Sequence, residues 1–433
     1  MYSSLADAGT DLFRSHRIGP LAKWVGDHIF FRILLKYLPE YNCQHAERYT
    51  NLAAQGQRQD GGRLWYGGTT FPDSTLDEHV KNCQFPCLDL STHTPHSIKD
   101  QQYSYNFDDI DKLSNALGIP WERSKDMPFT PSTKYIRLQW DLQHLTVFLT
   151  IQKKAKYIAN INEWLLQPTH ILNDVQKLYG RLLHASLVIP SGRAYLTGLE
   201  SMLGLCNQCL FIPYSPVKGM TDDLHWWLSR LNQPSVSRPI PAPHVVTDPN
   251  AFSDASSGVS IAIIINKRCR AWRLIPGWQT LDGARDIGWA EAVGFKLLVR
   301  TLTRLIGSSG HFRVYGDNKG VVKGWWNNRS KSKSINNVFR QIHSFLKSFN
   351  NTISIHTAYI PSKSNLADAP SRGIYPPPEL ILPDIQLLTG LNRFIVDSTH
   401  PYTNTELCLF HEDRYPHALT NCTDDAIRHL DSN

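Results

Sequence analysis

The stretch "AFSDASSGVSIAIIINKRCRAWRLI", residues 251–275, allows few folds. Apolar and β-branched residues run through it in three blocks. Turn residues separate them at Ser256-Ser257-Gly258 and at Asn266-Lys267, as in successive paired strands. "RDIGWAEAVGFKLLVRTLTRLIG" follows with a helical period, then the strand "HFRVYGDN", the helix "SINNVFRQIHSFLKSFN", the strand "TISIHTAYI" and a short helix at "NLADAPSR". Three strands, a helix, a strand, helices, a strand and a helix predict a mixed sheet covered by helices.

This segment is short of acids. From Ala251 to Arg372 there are 18 Lys+Arg against 6 Asp+Glu, a balance of 18 − 6 = +12. From Tyr375 to Asn433 the balance is 3 − 9 = −6. A basic segment of this kind points to a polyanionic partner. Two of the six acids, Asp282 and Asp286, fall in a polar loop. The other four interrupt ordered, largely uncharged contexts: Asp254 in a strand, Glu291 inside the helix "IGWAEAVGF", Asp317 at a strand end and Asp368 at a helix start. Taken singly, each has an ordinary explanation as a turn, a solvated helix position or a cap. Taken together, they suggest a cluster. Carboxylates side by side are costly to ionise unless cations neutralise them. Hard oxygen ligands suit Mg²⁺, with Mn²⁺ able to substitute. A pair of such ions about 4 Å apart can activate water and stabilise the leaving oxygen of a phosphodiester.

The motifs "SDAS", "WAEA", "YGDNKGVV" and "YIPSKSNLADAPSRG" resemble those of the RNase H domain of retroelement reverse transcriptases, particularly the DIRS-like, tyrosine-recombinase group. The acids follow the same order, Asp254, Glu291, Asp317, Asp368, on first strand, first helix, fourth strand and last helix. Their gaps are 291 − 254 = 37, 317 − 291 = 26 and 368 − 317 = 51. The resemblance implies an α/β, RNase H-like, mixed five-stranded sheet over 245–373. It also implies two Mg²⁺ ions held by the four acids and cleavage of the RNA strand of an RNA–DNA hybrid. Other retroelement-encoded proteins are implied as further partners. Cellular relatives often carry a mobile His before the last Asp. The loop here, "IPSKSN", has none, and Lys363 is the candidate to serve instead.

In the family a basic, Trp-bearing protrusion grips the DNA strand. "GWWNNRSKSKS" assigns that role to Trp325, Trp326, Arg329, Lys331 and Lys333. Such contacts to phosphates carry no base readout. Ser256 and Asn318 are candidates for sensing the 2′-OH that separates RNA from DNA.

Upstream, residues 1–232 resemble the C-terminal part of the matching polymerase. "KWVGDHIFFR" is similar to the hairpin that normally presents two adjacent aspartates, but Gly26-Asp27 retains only one. The palm segment with the third is absent, so DNA synthesis is not expected. "LGIPWERSKD", "KYIRLQWDL" and "DVQKLYGRLLHASLVIPSGRAYL" match the segments that follow, with Arg137 where the family usually has Gly in a tight hairpin. Phe107-Asp108-Asp109 imitates a polymerase motif but opens a helix, and reads as an N-cap.

The division expected is a palm remnant (1–39), an irregular insertion (40–102), a palm-end helix and hairpin (103–151) and a mostly helical thumb- and connection-like region (152–232). A Pro/Ser-rich linker (233–244), the RNase H-like domain (245–373) and an acidic, partly disordered tail (374–433) follow. No apolar run of about 18 residues suggests a membrane span, and the N-terminus does not read as a signal peptide. The eight cysteines are thinly spread, which suggests free thiols in a reducing, intracellular compartment, cytoplasmic or nuclear. Cys83-x-x-x-Cys87 and Cys206-x-x-Cys209 could hold zinc together, but no nearby His pair completes either half. Two other readings stay open: a non-catalytic nucleic-acid-binding relic, and an RNase H-fold DNA nuclease or integrase-like enzyme.

Overall fold

Two units make up the chain: Met1–Ile151 with Ser237–Ile240, and Gln152–Val236 with Pro241–Asn433. A computed structural model describes residues 2–399 except 25, 56, 59–63, 67–79, 83–84, 94–95, 208, 241–245, 282–284, 308, 350–351, 384–386 and 388–389. Asp282, Cys83 and the tail beyond 399 therefore lie outside the described residues, as do parts of 40–102. The protein is mixed α and β, with several sheets. No described helix is long and apolar enough to cross a membrane.

The first unit opens with α1 (Tyr2–Ser15) and the antiparallel pair β1 (Leu21–Trp24) and β2 (Asp27–Phe30). Trp24 pairs with Asp27, so Gly26 lies in the turn, as expected. Phe13 and Tyr105 are wholly buried in a core with Ile18, Leu21 and Ile110. The region 40–102 is less irregular than its composition suggests. It contains most of α2 (Leu38–Gln55) and an antiparallel ladder of β3 (Gln57–Arg58), β4 (Leu64–Tyr66) and β5 (Val80–Asn82). Helix α2 is rich in strong helix formers but lacks a broad apolar stripe, so periodicity alone does not reveal it.

Helix α3 (Phe107–Ala116) corrects another expectation. Its N-cap is Asn106, not the aspartate pair. The Asn106 side chain accepts from the Asp109 N–H at 3.0 Å, and Asp109 Oδ2 accepts from the Asn106 N–H at 2.8 Å. This reciprocal box satisfies two orphan donors. The unit ends in a four-stranded antiparallel sheet of β6 (Ser132–Tyr135), β7 (Leu138–Asp141), β8 (Thr146–Phe148) and β9 (Ser237–Pro239). Ile136 and Arg137 turn the β6–β7 hairpin at φ 47° and 63°, the left-handed region that favours glycine. Strand β9 comes from the stretch read as linker. It lies at the sheet edge, where proline is tolerated.

The second unit starts at Gln152, within α4 (Ile151–Leu165), and continues with α5 (Leu172–Ala185), α6 (Thr197–Cys206) and α7 (Met220–Leu231). The buried side of α5 is Leu172, Val175, Leu178, Leu182 and Ala185, a helical spacing. The mixed sheet comes next, with β10 (Val246–Thr247), β11 (Ala251–Ala255), β12 (Ser260–Ile265), β13 (Arg268–Leu274) and α8 (Ile287–Ile306). It continues with β14 (Gly310–Gly316), α9 (Lys319–Trp326), α10 (Lys333–Lys347), β15 (Ile353–Tyr359), α11 (Asp368–Ser371) and β16 (Ile395–Asp397). Strands β11, β12, β13 and β16 pair antiparallel in that order. β14 runs parallel to β11, β10 and β15.

The sheet thus has seven strands rather than five. One extra strand, β16, comes from the tail expected to be partly disordered. Leu382, Leu391 and Ile395 join the core beneath the sheet. Arg270 pairs with Asp397 and donates to the Leu382 carbonyl at 2.6 Å. The overall acidity of 374–433 had hidden this short apolar part.

Candidate metal centre

Asp254 sits near the end of β11, and all five residues of that strand are buried. Phe252 pairs with Tyr315, so β11 and β14 run side by side and in parallel. Asp317 follows β14 directly and therefore emerges next to Asp254. Glu291 comes from α8, whose N-terminus is fixed by Asp286; its side chain accepts from the Trp289 N–H at 2.9 Å. Asp286, expected to be an unremarkable loop acid, thus caps the helix that carries Glu291. Gly294, one turn on, lets α8 approach the sheet. A Cβ there would lie 3.0 Å from Ile261 Cγ2 and 3.7 Å from the Asp254 carbonyl.

The outcome is one cluster. Ligand oxygens of Asp254, Glu291 and Asp317 all lie within 4.8 Å of one another. Among the described residues no other group of three or more such side chains is close enough to hold an ion. Asp254 and Glu291 are buried, and Asp317 is half-buried. Burial pushes Glu291 up to about 9, helped by the charges of Asp254 and Asp317. Burial also raises Asp254 to about 6, against a lowering hydrogen bond from Ser371 and with Asp317 and Asp368 adding to the rise. Among the described residues no lysine or arginine forms a salt bridge with any of the three. Clustered carboxylates whose ionisation burial disfavours, with no salt-bridged cation among them, fit a divalent cation.

Asp368 stands apart from the three. Arg372 takes it, with Nε 3.0 Å from each carboxylate oxygen and Nη2 2.9 Å from Oδ1. Its charge still reaches Asp254. Two neighbours absent from the sequence reading complete the cluster. Ser371 donates to Asp254 Oδ2, and the Asn365 amide touches both Asp254 and Asp317. Both residues lie three positions from Asp368. The visible signal was two uncharged polar residues flanking the last acid.

The expected nucleic-acid contacts divide. Trp325 is a core residue: it is buried, donates Nε1–H to the Ile355 carbonyl at 3.0 Å and stacks on His343. Trp326 is half-buried. Arg329 forms an ion pair with Glu200, and Lys333 donates to the Lys218 carbonyl at 3.1 Å. The basic stretch therefore folds back on the helical region of its own unit. Lys331 and Lys363 are exposed. Asn318 caps α9 by accepting from the Val321 N–H at 3.1 Å, and Ser256 sits half-buried in the β11–β12 turn. Asp27 is exposed beside the Gly26 turn, and a Cβ at Gly26 would meet no atom within 4 Å. The described cysteines are free thiols, Cys206 and Cys209 included.

No protein-family model matches the chain, and no curated protein matches its sequence.

Proposed function

We propose that residues 245–373 are a divalent-metal-dependent nuclease of the retroelement RNase H type, which hydrolyses the RNA strand of RNA–DNA hybrids. One observation carries this reading: Asp254, Glu291 and Asp317 converge within 4.8 Å from a strand, a helix and the neighbouring parallel strand. The succession of first strand, first helix and fourth strand is the one the resemblance implies. The upstream region is then a reverse-transcriptase remnant, and the lone Asp27 beside Gly26 leaves it without polymerase activity.

Asp254, Glu291 and Asp317 would hold the cations, with Asp368 beside them. When bound there, Mg²⁺ or Mn²⁺ would supply an activated water and charge stabilisation at the leaving oxygen, and the expected products carry 5′-phosphate and 3′-hydroxyl ends. The residues themselves orient the reacting groups. Lysines and arginines of the +12 segment hold the backbone by charge, without reading bases. Ser256 and Asn318 face the choice between ribose and deoxyribose.

A second reading has one observation in its favour. Asp368 is tied to Arg372 outside the group of three, as suits a three-acid DNA nuclease or integrase-like enzyme. A single assay separates the two: labelled hybrid, duplex DNA and duplex RNA side by side, with Mg²⁺ and with chelator. Metal-dependent cleavage of the hybrid's RNA strand, lost in Asp317→Asn, is expected. Cleavage of duplex DNA with the hybrid untouched would replace the first reading by the second.

A further inference from the structure

Asn365 is buried, with 5% of its surface exposed. Its Nδ2 lies 3.1 Å from the Ser253 carbonyl, 3.3 Å from Asp254 Oδ1 and 3.4 Å from Asp317 Oδ1. The other end fixes which way the amide faces, because Oδ1 accepts from the Ala367 N–H at 3.2 Å. A flipped amide would turn its oxygen on two carboxylates and leave the Ala367 N–H unmatched. The amide nitrogen therefore stands between two acids that repel each other, and it also holds the backbone of the strand that carries one of them. It is a neutral donor group, so it attracts both carboxylates without cancelling the charge a cation needs. Ser371 takes the remaining Asp254 oxygen, and Asn365 is the neutral side chain that touches both Asp254 and Asp317, which also lie within hydrogen-bonding reach of each other.

We propose that Asn365 is a positioning residue of the candidate metal centre, holding Asp254 and Asp317 face to face so that a divalent cation meets a preformed pair of ligands. The proposal rests on reading the cluster as a metal site. Without the amide, the two carboxylates would swing apart and binding a cation would have to draw them together again. Hydrogen bonds to charged groups are the strong ones, so their loss should be felt in affinity.

The test is Mn²⁺ binding to the full chain by titration calorimetry, with no nucleic acid present. Wild type, Asp317→Asn, Asn365→Leu and Asn365→Ser are compared, and circular dichroism checks each fold. Leu keeps the volume without donors, and Ser cannot reach both carboxylates. Roughly tenfold weaker Mn²⁺ binding is expected for both Asn365 variants, with near-complete loss in Asp317→Asn. A purely packing role for Asn365 would lower thermal stability and leave Mn²⁺ affinity unchanged in the folded protein; that result overturns the proposal. Should Asn365→Leu fail to fold, Asn365→Ser decides the question. Wild type that binds no Mn²⁺ removes the metal centre itself and the proposal with it, whereas wild-type affinity in the Asn365 variants, with loss in Asp317→Asn, removes this proposal alone.

Discussion

Arg372 holds Asp368 from one helical turn away, its guanidinium meeting both carboxylate oxygens at 2.9–3.0 Å. The same guanidinium is held more firmly protonated by Asp368 first, with Asp254 and Asp317 adding to it. It thus contributes positive charge beside a site that has none of its own. Arg372→Ala should make the cluster more negative and release Asp368 toward it. Mn²⁺ affinity should rise roughly threefold at low ionic strength, within the range of exposed ion pairs, and the gain should shrink with salt. Unchanged affinity at low salt, measured by calorimetry, would mean that the pair is too distant to matter.

The acids were legible because each stands alone in an apolar or uncharged run. The strands around them were legible because apolar, β-branched runs bounded by turn residues need only local sequence. What the sequence hid has physical reasons. Trp325 stands among basic residues in the chain, yet the turn of α9 aligns it with Val321 and Val322 on the buried side. Arg329 meets Glu200 across 129 positions, and no local pattern announces such a partner. Strand β16 is three residues long within an acidic tail, too short for composition to register. The link from Asn365 to Asp317 depends on how two strands and a loop meet, so the motif that gave the last acid gave no role for its neighbour.

Glu291 predicts a pH dependence. Its pKa is raised from 4.5 to about 9 by burial, and that of Asp254 from 3.8 to about 6. A carboxyl raised on folding keeps a proton that the unfolded chain has released. Folding stability therefore falls as pH climbs from the unfolded value to the folded one, by up to ~1.4 kcal/mol per pH unit for each group. In chelator, the protein should lose stability from about pH 4 upward, with the Glu291 contribution ending near pH 9. Glu291→Gln has no proton to lose and should be more stable than wild type at pH 8. Urea unfolding at a series of pH values measures both, and parallel curves for the two proteins would remove Glu291 as the cause.

Gly294 is required by its packing rather than by backbone freedom. Added atoms there meet Ile261 Cγ2 at 3.0 Å, and Ile261 is wholly buried. Gly294→Val should push α8 away from β11, at a cost of ~2 kcal/mol from overpacking and a branched Cβ. Because Glu291 lies one turn before it, Mn²⁺ affinity should fall as well. Loss of stability with Mn²⁺ binding intact, by denaturation and calorimetry in parallel, would show that Glu291 keeps its place when the helix shifts.

The tail belongs to the sheet through Arg270 and Asp397. The arginine side chain is 4% exposed, and Asp397 Oδ2 accepts from its Nε at 2.7 Å. Removing Asp397 takes the carboxylate from a buried guanidinium that keeps its hydrogen bond to the Leu382 carbonyl. Asp397→Ala should cost ~3 kcal/mol. A chain ending at Gly373 would also lose Leu382, Leu391 and Ile395 from the core and should not fold stably. A cooperative unfolding transition of wild-type midpoint in either protein would show that the tail is dispensable.

The basic stretch after α9 allows a sharper prediction than its sequence did. Arg329 and Lys333 are already engaged with Glu200 and the Lys218 carbonyl, whereas Lys331 and Lys363 are exposed. Phosphates attract whichever cations can reach them, and the log–log salt dependence of binding flattens by roughly 0.9 for each phosphate that is no longer neutralised. Lys331→Ala with Lys363→Ala should therefore weaken binding to an RNA–DNA hybrid and reduce the slope by roughly two such increments. The weakening should be alike for hybrids of unrelated sequence, because backbone contacts carry no base readout. Arg329→Ala with Lys333→Ala should instead lower the unfolding midpoint and leave the slope nearly unchanged. Binding measured by fluorescence anisotropy across a salt series distinguishes the pairs. A slope that falls with the second pair but not the first would mean that hybrid displaces Glu200 from Arg329, and that the segment reaches nucleic acid by giving up its hold on the helical region.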